Sequence, residues 1–521
     1  MTTEAPRNDE RGQVLIIVAA GMIVLMGIAA LVVDLGMSWM LRRQEQNAAD
    51  PAAIAAARWL RDPVTGNAMW DPIKAWDDAC FYAQQNGFFE GDAGCAAAKA
   101  SSSLEVHSPP VSGPYAGSPG KVQVIIRETH PAFFGRILGS SEATVSTSAV
   151  AANDANNSNS SSLVALQNVC QAGAAGSING GARVRIFPTG SATTGGYVHV
   201  NSPCGSSADD VCQNGVGSSA LQISGTLETP FANVNGSCTY NGTGALGLVC
   251  TMGSPCLDED AVPIGDPLFD LPEPSPTDFP NGICPDGAAS TPASTKPCDL
   301  PTKGLPADVD CPKDATSGAN VCRLRPGVYY GGWDVGAKVR LELEPGMYIL
   351  AGGGIKLSGT SSSIEAVQSP SGVEARVMIF STDGPMCGTV PAQCQGAVNF
   401  TAQQAFKAKA LNTATCGLVS PQACPWKGIL LWQDGTVVKT PQDVTIGGQS
   451  STILAGTIYA PRSQVNINGG SATTGCGTGP SAGCLSIQII SWRWSITGGG
   501  TLDMPYDPSE IYRINLRGLV H

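Results

Sequence analysis

Apolar positions fall into three textures along the chain. Residues 14–33 form one apolar run with no charged residue. At 1.5 Å per helical residue, about 20 such residues cross a hydrocarbon core of roughly 30 Å. The run passes into MSWMLRR instead of ending at a small-residue cleavage site, so it reads as a retained anchor over residues 13–40 and not as a signal peptide. Next, LRRQEQNAAD keeps a helical face at Leu41, Glu45 and Ala48. Asp50 followed by Pro51 fits an N-cap with proline at the first helical position. A new helix would then run through AAIAAARWLRD, or one helix would pass through with a proline kink.

The second texture mixes a helical stalk with a small sheet over residues 41–152. Trp70, Trp76, Phe81 and Tyr82 offer core aromatics. Val122, Val124 and Ile126 alternate as on a half-buried strand, and Ala143, Val145 and Thr147 begin another. The polar stretch at 153–162, largely DANNSNSSS, is a linker that cannot bury a core.

The third texture starts at Leu163. A short phrase of alternating apolar residues closed by Gly recurs as SINGG (177–181), LQISG (221–225), IKLSG (355–359), VTIGG (444–448), VNINGG (465–470) and WSITGGG (494–500). The last three align at Ile446, Ile467 and Ile496, with a Cys476/Cys484 loop in the longer gap. Short strands with Gly and Asn corners at this spacing predict a mainly-β region built as a right-handed β-helix or solenoid, with an irregular β-sandwich as the alternative. Pro-rich text over about 256–325 interrupts the pattern as an extended excursion. The predicted organisation is therefore a tail (1–12), the anchor (13–40), a stalk with an α+β unit (41–152), a linker (153–162), a β-body (163–515) and a C-terminal tail (516–521).

Composition narrows the class. Charged residues make up 14% of the 521, against about 25% in ordinary soluble domains, with 63 Gly and 37 Pro. A formal net charge of -12 opposes nucleic-acid binding, which needs a basic surface. The 18 cysteines set the compartment. None precedes residue 80, and the rest fall into close pairs: Cys80/Cys95, Cys204/Cys212, Cys238/Cys250, Cys284/Cys298, Cys311/Cys322, Cys387/Cys394, Cys416/Cys424 and Cys476/Cys484. Cys170 and Cys256 remain for a ninth bridge. With no CxxC and no Cys/His cluster of zinc spacing, they read as disulfides formed outside the cytoplasm. Arg42, Arg43, Arg58 and Arg61 after the span outnumber Arg7 and Arg11 before it, which alone would put the body in the cytoplasm. Long domains translocate despite such charge, so the cysteines decide: N-terminus inside, body outside.

Candidate chemistry is sparse. Asp34 closes the span and reads as an interfacial residue or a contact in anchor packing, since an ionisable group near a bilayer is costly without a reason. The acidic clusters Asp209-Asp210, Asp258-Glu259-Asp260 and Asp308/Asp310 lack the EF-hand and nonapeptide calcium patterns and read as solvated loop charge. Trp426, Trp432, Trp492 and Trp494 suit either stacking on sugars or covering coils; Trp492 and Trp494 alternate and would share one face. His107, His130, His199 and His521 are scattered, and GGGI (352–355) is a turn lacking the Lys-Ser/Thr of a phosphate loop. No catalytic signature, metal site or cofactor motif emerges, so the chain reads as a non-enzyme. A carbohydrate-binding or carbohydrate-cleaving β-helix is the alternative, and cleavage would need carboxylates converging in a cleft.

Arg11-Gly12, the apolar span, Val33-Asp34-Leu35-Gly36, Gln44-Glu45-Gln46-Asn47-Ala48-Ala49-Asp50 and the alanine-rich helix from Ala52 together resemble the anchor of the tight-adherence (Tad) pilus-assembly pseudopilin family, in its TadG-like branch. HPAFFGRILGSSEATVSTSAVA (130–151) is similar to the sheet-forming end of that pilin-like region. GVYYGGWDV, LEPGMYILAGGGI and LAGTIYAPRSQVNING resemble Gly-rich surface domains attached to some TadG-like proteins. The resemblance implies a single-pass protein of the bacterial cell membrane whose C-terminal domain lies at the cell surface. It also implies a role in assembling or displaying an adhesive pilus. Its partners would be other Tad pseudopilins or the secretion platform, with a surface glycan or envelope polymer for the body. Prepilin-type processing would fall at Gly12-Gln13, but Ile17 stands where the family favours Glu, and Pro51 replaces a usual alanine.

Overall fold

The structure is a computed structural model. It describes residues 11–519 apart from 61–69, 90–93, 119, 133–138, 140, 154–160, 190–194, 206–211, 215–218, 242–246, 260, 262, 270, 293–297, 299, 301–310, 358–360, 401–404, 420, 449–451, 470–483 and 513–516. The chain forms two compact units, residues 1–158 with 515–521, and residues 159–514. Most of the expected linker lies outside the described residues.

The first unit is organised on one helix, α1 (Arg11–Ala57), of 47 residues. At 1.5 Å per residue it is about 70 Å long. It runs through Pro51, so the break expected at Asp50-Pro51 does not occur. A proline removes a single i to i−4 hydrogen bond, and the buried alanine face on either side of it holds the helix in place. Ala48, Ala49, Ala52, Ala53, Ala56 and Ala57 are all fully buried. This small-residue stripe packs with the sheet strands β1 (Leu104–His107), β2 (Lys121–Pro131) and β3 (Glu142–Asn153) and with two short helices. The sheet is antiparallel in the order β1, β2, β3, with Val124 opposite Ala149 and Val122 opposite Ala151. Residues expected as a C-terminal tail supply its fourth strand, Arg517–Leu519, which pairs antiparallel with β3 through Ala151 and Leu519.

The helices α2 (Pro72–Gln85) and α3 (Gly94–Ser101) are joined by the Cys80–Cys95 disulfide. Asp71 caps α2, accepting a 3.1 Å bond from the Lys74 N–H, with Pro72 at the first helical position. The aromatics expected in this core separate. Trp70 and Trp76 pack partly buried against it, whereas Phe81 and Tyr82 are exposed. Ala75, Ala79 and Ala83, one turn apart, fill the buried stripe of α2 instead.

The second unit is mostly β, with large parallel sheets of 22 and 4 strands and no closed barrel. From Asn320–Leu324 through Ala405–Lys409 each strand pairs in parallel with the strand three places later in the chain: Asn320–Leu324 with Val339–Leu343, Gly327–Tyr330 with Gly346–Ala351, Trp333–Val335 with Ile355–Leu357. The recurring phrase is the unit of this stacking. Ile446, Ile467, Ile496, Ile178 and Ile223 lie in successive register. The closing glycines stack backbone on backbone. A Cβ on Gly353, which has φ +73°, would strike the Gly331 carbonyl, and one on Gly332 would strike that of Gly354.

The stacking order is not the chain order. Residues 161–165 pair with 484–498, so the first block (161–259) extends the far end of the later one. Inward positions Tyr348, Ile379, Leu431, Ile458, Ile489, Leu163 and Val198 form one continuous core ladder. Their chain neighbours Val328, Ile349, Phe380, Trp432, Tyr459, Ile490, Val164 and His199 form the adjoining ladder on the opposite face. Every one of these is buried as well. Strands buried on both faces read as unbroken apolar runs, as ILLW (429–432) does.

The Pro-rich excursion covers this second ladder. Leu257 belongs to one end of the stack and Asn281 bridges to Val328 at the other. Nine strand steps of about 4.8 Å put those ends roughly 40 Å apart, so the chain between them must run the length of the face.

Seven disulfides tie this unit among the described residues. Cys284–Cys298, Cys311–Cys322, Cys387–Cys394 and Cys416–Cys424 join neighbours in sequence as expected. Three further expectations are corrected: Cys170 bonds Cys204, Cys212 bonds Cys238, and Cys250 bonds Cys256. Parallel stacking brings together residues one layer apart, at separations of 34 and 26, ahead of the nearest cysteines in sequence.

The expected Cys476/Cys484 pair lies outside the described residues, since Cys476 and the Cys484 side chain do; the Cys484 backbone opens the strand Cys484–Gly498 and pairs in parallel with Ile453.

Candidate functional site

Two places in the chain concentrate features that packing alone does not require. The first is α1. From Ile17 through Met40 its described apolar side chains stand in the open, Ile23 at 68% exposure and Trp39 at 80%. It is the one helix among the described residues long and apolar enough to cross a membrane, by length and composition. Gly12 and Gln13 lie in its first turn, with side chains outside the described residues. Asp34 is half-buried, and the Ser38 hydroxyl donates to its carbonyl at 2.9 Å.

One turn before the alanine face sits Glu45, fully buried. Its Oε2 accepts the Thr147 hydroxyl of β3 at 2.9 Å, while Oε1 has no hydrogen-bond partner among the described residues. Burial raises its pKa above the ordinary carboxylate value, and the Thr147 bond only partly offsets this. A carboxylate here fixes where α1 registers on the sheet at a cost in stability.

The second place is a cleft in the β-unit, a cavity of about 660 Å³ between residues 263–273 and the strands beneath. Trp432 and Tyr459, adjacent in the covered ladder, line it with ring centroids 5.2 Å apart. Trp492 and Phe269 also line it, the Phe269 side chain 82% exposed. Trp492 and Trp494 do not share a face: Trp494 is buried in the core and Trp492 reaches the cleft. A register shift in the paired strand between Ala460 and Gln464 puts a corner between Ser491 and Arg493 and turns the two apart. Trp426 instead ties down the excursion, its Nε1 donating to the Pro272 carbonyl at 2.6 Å.

Three carboxylates gather here. Asp266 accepts the Tyr459 hydroxyl at 2.6 Å and the Leu268 N–H at 3.0 Å. Burial nonetheless raises its pKa, as it raises that of the Tyr459 phenol. Glu273, at the exposed rim, is raised first by partial loss of water and then by the charge of Asp434. Asp434 is occupied by Thr382 and by the Thr436 hydroxyl and N–H. Arg462, exposed, donates one bond, to the Gly435 carbonyl at 3.0 Å.

The loop is held at its root by Asn201, whose amide donates to the Ile264 carbonyl at 2.7 Å and accepts its N–H at 2.9 Å. His199 Nε2 lies 3.1 Å from the same Asn201 oxygen, and burial pulls the imidazole pKa down to about 4.

Other expected sites carry less. Glu259 accepts the Cys238 N–H at 2.7 Å as a structural cap. Asp209-Asp210, Asp260 and Asp308/Asp310 lie outside the described residues. Asp383 approaches Cys387 and Cys394, but those sulfurs share a disulfide and are not metal ligands. Sequence reading missed the roles of Asp266 and Glu273, whose only signal was the length of the Pro-rich excursion, and of Tyr459 and Arg462, which lie within the phrase LAGTIYAPRSQVNING.

The architecture defines a class: one long exposed apolar helix at the N-terminus, suited to membrane anchoring, docked on a small antiparallel sheet and followed by a mostly-β unit. Residues 12–58 match the Flp pilus-assembly TadE/G-like (Tad) family model, so the chain carries a TadE/G-like domain that coincides with α1. Among curated proteins and solved structures there is no significant match.

Proposed function

We propose that this is a membrane-anchored, non-catalytic participant in Tad/Flp-type pilus assembly, with its N-terminus cytoplasmic and the chain beyond the apolar span outside. The observation that carries the reading is the coincidence of the TadE/G-like match at 12–58 with the exposed apolar helix and its buried alanine face. The apolar half of α1 inserts in the bilayer and packs against other Tad pseudopilins or the secretion platform, with Asp34 at the membrane edge as a contact residue. The disulfides favour an oxidising compartment for both units. For the β-unit, pairing of each strand between Asn320–Leu324 and Ala405–Lys409 with the third following strand supports a wound solenoid, which would present a long rigid flank at the cell surface.

Deleting residues 13–33 is expected to move the protein from the membrane fraction to the soluble fraction and to abolish piliation. Replacing the same residues with an unrelated span of equal length restores membrane association and separates tethering from assembly contacts. Wild-type piliation in the deletion strain would overturn the proposal.

A further inference from the structure

The cleft under residues 263–273 has a composition that neither core packing nor a membrane anchor requires. Its volume lies within the 300–1,000 Å³ usual for small-molecule sites. Trp492 and Phe269 present ring surface to the opening although the fold has ample apolar interior to receive them. Asp266 and Glu273 bring hydrogen-bond acceptors to the same space, and Arg462 brings donors of which one is used internally. The floor is rigid. Tyr459 is wedged against Trp432 and bonded to Asp266, and the loop is fixed at Ile264 by Asn201 and at Pro272 by Trp426.

From this juxtaposition we propose that the cleft binds a saccharide, uncharged or amine-bearing, stacking a pyranose face on Trp492 and Phe269 and hydrogen-bonding its hydroxyls to Asp266, Glu273 and Arg462. A pyranose has an apolar C–H face and a rim of hydroxyl donors, and aromatic faces beside carboxylates satisfy both at once. A purely apolar ligand would leave the carboxylates desolvated and unpaired. A phosphate or uronate chain would meet three carboxylates against one guanidinium, so like charge excludes it. The inference is independent of the pilus reading, because no residue in it belongs to the TadE/G-like segment.

The test uses the full chain in a non-glycosidic detergent, titrated with cellohexaose, chitohexaose and a chitosan hexamer, with polygalacturonate as the anionic comparator. Tryptophan fluorescence and saturation-transfer NMR report binding. At least one of the three hexamers is expected to bind and polygalacturonate is not. Trp492→Ala and Glu273→Gln are each expected to weaken binding about tenfold, as loss of a central contact does, with circular dichroism and melting temperature unchanged. Phe269→Ala, at the most exposed ring, guards against a folding defect in the other variants. Absence of binding by all three hexamers up to about 10 mM, affinities unchanged in every variant, or preferential binding of polygalacturonate would each overturn the proposal.

Discussion

Glu45 shows what a single residue does to this fold. Its side chain is sealed between α1 and β3 with one oxygen bonded to Thr147 and the other unmatched among the described residues. Because burial raises its folded-state pKa above the unfolded value, its contribution to stability is fully present below the ordinary carboxylate range. That contribution is lost as pH rises through the raised value. At neutral pH the ionised form is therefore a liability. Glu45→Gln keeps an acceptor for Thr147 and removes the charge, so the melting temperature is expected to rise at pH 7 and to match wild type at pH 4 and below. Thermal unfolding across that range checks the sign. In the sequence Glu45 was visible as one position on a helical face and as part of the family-like Gln44–Asp50 segment; its burial depends on a strand about 100 residues later.

At the scale of elements, α1 combines two environments in one continuous helix. Its first half is apolar without a face, while its second half is alanine-rich with one face buried on β2 and β3. Alanine keeps the helix close to the sheet and leaves no room for a larger side chain. Ala53→Leu is expected to destabilise the first unit by about 1–3 kcal/mol through overpacking, measured as a lowered denaturation midpoint with membrane association intact. The helix and its exposed span were legible in residues 14–50, because periodicity and hydropathy are local. Its passage through Pro51 was not, because tertiary packing offsets the lost hydrogen bond. The same holds for the strands. The phrase ending in Gly located the stacking positions, and Ile446, Ile467 and Ile496 do stack in register, but nothing local placed Ile178 beside Ile496.

For the whole molecule, the order of stacking has consequences that no single element shows. Placing residues 161–259 beyond 484–498 sends the excursion along the length of the stack, buries a second apolar ladder and makes the cleft. It also converts local cysteine pairs into bridges between layers. Cys170–Cys204 closes a loop of 34 residues. Replacing both cysteines with serine is expected to cost about 2–4 kcal/mol, mainly through the freed unfolded chain. Denaturant unfolding of the oxidised double variant beside wild type provides the measurement.

The sequence by itself determined the long apolar helix, the α+β to mainly-β transition, the abundance of paired cysteines and the repeated strand phrase, since each is a short-range pattern of hydropathy, turn residues or composition. Tertiary structure alone decided which layers adjoin, which cysteines bond across them, that Cys484 begins a stacked strand, that residues 517–519 complete the first sheet, and that Asp266 and Glu273 share a cleft with Trp432, Tyr459 and Trp492. The physical reason is contact range. Strand stacking joins residues from 17 to more than 300 positions apart, and local composition does not encode which distant strand lies alongside.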